Sequence, residues 1–141
     1  MTYGPGDTFL SDGPNPKKPP HLYVVVCVDA CDRNLVFAVP FCTDDFSTDK
    51  TLVLDVGAHP RIKHKTSVSY DLITTVNMQK IEQLAESQKL LFRPTFVFSR
   101  QDPVGDDLLE MITRKALESD MMPERMHERL RACLDGNTTP T

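Results

Sequence analysis

His21-Leu22-Tyr23-Val24-Val25-Val26-Cys27-Val28 is the stretch on which the fold turns. Eight residues, half of them β-branched valines, are too few for a helix and read as a strand. The polar run Asp29 to Asn34 then offers a turn, and Leu35-Val36-Phe37-Ala38-Val39 supplies a second strand. The pair reads as an antiparallel hairpin whose second strand ends at Pro40. Downstream, Thr43 to Lys50 reads as a polar loop, and Thr51-Leu52-Val53-Leu54-Asp55-Val56 as a third strand closed by Gly57. Upstream, Thr8-Phe9-Leu10 is a brief strand, followed by a Pro- and Gly-rich loop from Asp12 to Pro20. Short strands with frequent turns predict a barrel or sandwich.

The segment Arg61-Ile62-Lys63-His64-Lys65-Thr66-Ser67-Val68-Ser69-Tyr70 alternates. As a strand it sends Ile62, His64, Thr66, Val68 and Tyr70 to one face, and Arg61, Lys63, Lys65, Ser67 and Ser69 to the other. These faces form one site only if Pro60 bends the chain. A last strand from Leu72 to Val76 leads to Asn77, an N-cap for a helix carrying Ile81, Leu84, Ala85 and Leu91. Phe92 to Phe98 reads as an edge strand or extended arm. Asp106 and Asp107 open a helix with Leu108, Leu109, Met111, Ile112, Ala116 and Leu117 on its apolar face. A shorter helix starts at Pro123, carries Met126, Leu130, Cys133 and Leu134, and stops near Gly136.

The chain has 141 residues, 40% of them hydrophobic and 26% charged. That suits one domain with a packed core rather than a disordered chain. No apolar stretch is long enough to span a membrane and the start lacks a secretory signal, so the expectation is a soluble cytoplasmic protein. The net charge of −4 provides no global attraction for nucleic acid, and any polyanion binding must rest on a local basic patch. Cys27, Cys31, Cys42 and Cys133 lack paired zinc-site spacing and are read as reduced thiols, a disulfide being the lesser alternative.

Histidine trades protons near neutral pH, and His21, His59 and His64 all flank the predicted strands. Cleaving RNA takes a base for the 2′-hydroxyl, an acid for the leaving 5′-oxygen and a cation for the phosphorane charge. The run from His59 to Ser67 holds imidazoles, Arg61, Lys63 and Lys65 within nine residues. Against this, a strand histidine is more often structural and surface lysines are usually solvated. Asp44, Asp45 and Asp49 read as solvated turn residues without calcium-loop spacing. Neither a nucleophile elbow nor a phosphate- or dinucleotide-binding glycine motif is present.

The first ninety or so residues resemble the PemK/MazF-like family. Gly6-Asp7, the loop Gly13 to Pro20 and His21-Leu22-Tyr23-Val24-Val25 fall in the family's order. Val39-Pro40-Phe41-Cys42-Thr43 resembles its strand ending in Pro-x-Thr, and Asp71-Leu72-Ile73-Thr74-Thr75-Val76 its Asp-Gln-Ile-x-Thr-Val segment. The run from Gly57 to Tyr70 is similar to a variant of its middle segment. The resemblance implies a mainly β fold, a small SH3-like, strongly curved antiparallel barrel, here with C-terminal α-helices. The resemblance covers about two thirds of the chain; with the helices read above, which lie outside it, the chain divides into a barrel with its following helix (1–92), a helical extension packed on the barrel (93–136) and a frayed tail (137–141). The resemblance also implies a toxin-like, metal-independent endoribonuclease without cofactor, a homodimer acting on RNA and paired with an antitoxin or other protein partner. The family's catalytic Arg falls at His21 and its hydroxyl partner at Thr43. Together with the histidine cluster and the basic strip read above, this makes His21, Thr43, His59 and His64 the expected catalytic residues, with Arg61, Lys63, Lys65 and Ser67 binding substrate. The alternative is a non-catalytic barrel that binds proteins, in a regulatory or mobile-element setting.

Overall fold

A computed structural model describes residues 2–11, 20–43, 49–88 and 98–138. Seven strands and three α-helices follow in the order β1 (Thr8–Ser11), β2 (His21–Val28), β3 (Leu35–Thr43), β4 (Val53–Leu54), β5 (Thr66–Val68), β6 (Thr74–Asn77), α1 (Met78–Gln88), β7 (Phe98–Gln101), α2 (Asp106–Glu118) and α3 (Glu124–Thr138). The strands form one antiparallel sheet in the order β4-β5-β3-β2-β1-β7, with β6 also on β3. Among the described residues the sheet is open, with β4 and β7 at its two ends. The loop 12–19, Asp44, Asp45, Leu91, the arm 92–97 and the tail 139–141 lie outside the described residues.

The hairpin read from the sequence is the centre of this sheet, but Pro40 does not end it. Strand β3 runs on to Thr43, pairing β6 through Leu35 to Ala38 and β5 through Phe41 to Thr43. Pro40 sits where one partner gives way to the other. Its carbonyl accepts from the Ser69 N–H at 2.9 Å on that same edge, so its missing N–H falls in the gap between β6 and β5.

Both faces of the sheet are covered. Leu22, Val24, Val26, Val39 and Phe41 share a core with Ile112 and Ala116 of α2 and Leu130 and Cys133 of α3. On the other face Val25, Val28, Val36 and Ala38 pack with Tyr3, Phe9 and Met78. A bulge between Val25 and Cys27 shifts the β2–β3 register. It breaks the alternation so that consecutive Val26 and Cys27 both join the α2–α3 side. There Cys27 is bonded to Cys133 of α3, so these two thiols are not the reduced pair the sequence suggests. The bulge is a local irregularity, and residues 106 apart carry no sequence signal of pairing.

Asn77 caps α1 as expected, its side-chain oxygen accepting from the Lys80 N–H at 3.1 Å. Asp49 departs from expectation: it is fully buried rather than solvated. Its Oδ1 accepts from the N–H and hydroxyl of Thr51 at 3.0 and 2.7 Å. Its Oδ2 accepts from the N–H groups of Tyr70 and Asp71 at 3.0 and 3.3 Å. One carboxylate thus ties the chain before β4 to the turn after β5. From that turn the Tyr70 hydroxyl donates to the Ile112 carbonyl at 2.7 Å, fixing α2 to the sheet.

Candidate functional site

The alternating segment is a strand only over Thr66–Val68. The residues before it form a closed turn. Ala58 donates to the Asp55 carbonyl, Ile62 to that of His59, and Gly57 to that of Ile62. Gly57 adopts a φ of 96°, left-handed backbone that a residue with a Cβ rarely takes, which permits the tight reversal. The Thr66 hydroxyl then donates to the His64 carbonyl at 2.7 Å just before the strand begins. Arg61, Lys63 and His64 are therefore freed from strand alternation, and all three line one cleft.

That cleft, of about 780 Å³, opens at the end of the sheet where β1 and β3 finish and β2 and β5 begin. Leu10, Leu22, Phe41 and Ile62 give it apolar walls, and His21, Cys42, Thr43, Arg61, Lys63 and His64 its polar ones. Two sets of the candidates meet here by different routes. Thr43 alternates with Phe41 along β3, while His21 and Cys42 belong to the other face of the sheet. Because the cleft draws on both sets, it wraps the sheet's end rather than lying over one face.

The Arg61 Nε donates to the Gln101 side-chain oxygen at 3.0 Å, which orients the guanidinium from β7. The side chains of Lys63 and His64 have no hydrogen-bond or ion-pair partner among the described residues. A local positive patch thus stands on a chain whose net charge is negative. Apolar walls beside the Lys63 ammonium and the Arg61 guanidinium suit an anion with a flat or apolar body.

Three expected site residues lie elsewhere. His59 is buried under the turn, its Nε2 2.5 Å from the Asp102 carbonyl and 3.4 Å from the Thr8 hydroxyl. Its Nδ1 accepts from the Arg61 N–H at 3.0 Å, which leaves Nε2 as the nitrogen that donates to Asp102. Both nitrogens are committed to protein. Ser67 is fully buried in β5, opposite Cys42 and Val53. Lys65 is exposed but lies off the cleft.

Sequence reasoning passed over Cys42, read only as a reduced thiol. Continuing the Tyr23–Pro40 register by two residues sets His21 across from Cys42, and Ser67 flanks it on the other strand. Burial pushes the Cys42 thiol up, but hydrogen bonds with His21 and Ser69 and the His21 charge outweigh burial and the opposing Asp71 carboxylate. The net result is a thiol more acidic than an ordinary cysteine. Lying next to Thr43, it could have been found by asking what faces His21.

Among the described residues no three His, Cys, Asp or Glu side chains are grouped to hold a metal, and no helix is long and apolar enough to cross a membrane. No family model, curated protein or solved structure matches the chain.

Proposed function

We propose that the cleft binds the RNA backbone and cleaves it, making the protein a PemK/MazF-like, metal-independent endoribonuclease of a toxin–antitoxin type. The observation that carries this reading is that His21, His64, Arg61 and Lys63 line the same cleft. In the reaction one imidazole takes the 2′-hydroxyl proton and the 2′-oxygen attacks the adjacent phosphorus. The bond to the 5′-oxygen breaks, and the second imidazole protonates the leaving oxygen. Arg61 and Lys63 offset the charge on the phosphorane, and Thr43 donates a hydrogen bond to a non-bridging oxygen. No step calls for a metal. The unmatched fold is read as a divergent SH3-like barrel, and the family motifs imply a cytoplasmic homodimer held in check by an antitoxin.

The test is cleavage of single-stranded RNA by purified protein in the presence of a chelator. Replacing His64 by Gln should cost about 10²-fold or more in rate, the usual contribution of a positioned acid or base. Arg61→Gln with Lys63→Gln should weaken binding and flatten its dependence on salt. RNA left intact by the native protein would end this reading.

A second reading, a non-catalytic protein-binding module, is favoured by Met111 of α2 and Met121 just beyond it, which are exposed at 38% and 42%. Growth arrest on expression that vanished with His64→Gln would exclude it.

A further inference from the structure

We propose that Cys42 is a thiol-modification site that takes a small anionic disulfide, of the glutathione disulfide class, into the cleft as a mixed disulfide. Cys42 is half-buried on the cleft wall, whereas the other free thiol, Cys31, is exposed on the turn between β2 and β3.

The site is a cluster rather than a single sulfur. His21 of β2 and Ser67 of β5 flank Cys42 on one face of the sheet, and Ser69 hydrogen-bonds to it. The same cleft carries Arg61, Lys63 and His64, of which Lys63 and His64 are uncommitted among the described residues. A disulfide bearing carboxylates is attracted by these groups, and one bearing ammonium groups is repelled. With about 780 Å³ the cleft has room for a tripeptide half.

In the exchange the Cys42 proton passes to the His21 imidazole and the thiolate attacks one sulfur of the incoming disulfide. The incoming S–S bond breaks as the Cys42 mixed disulfide forms. The displaced thiolate leaves with the electron pair and recovers the proton from His21. The incoming disulfide is the oxidant, and one thiol is released for each Cys42 modified. The inference is independent of the RNA reading, since it needs only the cleft, its cations and the His21–Cys42 pair.

The test uses the full chain with the Cys27–Cys133 bond intact, exposed at pH 7 to glutathione disulfide or to cystamine, with adducts assigned by peptide mass spectrometry. With glutathione disulfide, Cys42 should react about tenfold faster than Cys31, as a more acidic thiol does near neutral pH. With cystamine that lead should shrink severalfold. Arg61→Gln with Lys63→Gln should erase the difference between the two reagents while Cys42 stays ahead of Cys31. His21→Gln should remove the lead itself. Cys42 reacting no faster than Cys31, or equally with both reagents, would overturn the proposal.

Discussion

His59 reaches across 43 residues of sequence to the Asp102 carbonyl, with which its Nε2 makes a 2.5 Å hydrogen bond. The Thr8 hydroxyl donates to the same carbonyl at 2.6 Å, so one acceptor joins β1, the 57–62 turn and the segment between β7 and α2. His59 is thus a structural residue, and His59→Ala should destabilise the fold by about 1–3 kcal/mol through the unmet bonds of its buried partners. Denaturant unfolding would measure this. Cleavage per folded molecule should fall far less than for His64→Gln.

Asp49 gathers two N–H groups from the Tyr70 turn and both donors of Thr51 while fully buried. Asp49→Ala strands those donors and loosens the anchor that Tyr70 provides for α2. A loss of about 2–4 kcal/mol is expected from the buried donors left without an acceptor. A melting temperature close to that of the native protein would contradict this role.

Asp71 carries the opposite sign. Burial, and then the nearby Asp49 carboxylate, raise its pKa above the ordinary carboxylate value, and its Oδ1 is buried without a hydrogen-bond partner among the described residues. The folded state therefore holds the Asp71 proton more tightly than the unfolded state does. Its contribution to stability is fully present below the ordinary carboxylate pKa and is lost as pH rises through the raised folded value. Asp71→Asn should therefore stabilise the protein at pH 7, with the gain shrinking as pH falls below that window. Unfolding curves of both proteins across pH 3 to 7 would show the lines converging at the acid end.

The Cys27–Cys133 bond closes a span of 106 residues and holds α3 against β2. Constraining the unfolded chain over so long a loop is worth about 4–5 kcal/mol in the chain-entropy view. Reductant, or Cys133→Ser, should lower the unfolding midpoint by a matching amount. An unchanged midpoint would show that packing of Leu130 and its neighbours alone holds the helix.

The central hairpin was legible because Leu22 to Val28 and Leu35 to Val39 are valine-rich, apolar and bounded by turn residues. The Asn77 cap and the acidic start of α2 were legible for the same local reasons. The 61–70 segment misled because alternating residues need partner strands to become a strand, and only Thr66–Val68 has them. In the candidate site, Arg61, Lys63 and His64 were identified by residue type alone. That His59 is satisfied internally depends on Thr8 and Asp102, and that His21 faces Cys42 depends on the β2–β3 register. Such long-range pairings leave no local pattern.

Cleavage of a DNA oligonucleotide carrying a single ribonucleotide, in chelator, tests the central claim most directly. The account predicts scission only at the ribonucleotide, leaving a 2′,3′-cyclic phosphate and a free 5′-hydroxyl, with the activity lost in both His21→Gln and His64→Gln. No scission by the native protein, or scission that survives in either variant, would contradict it.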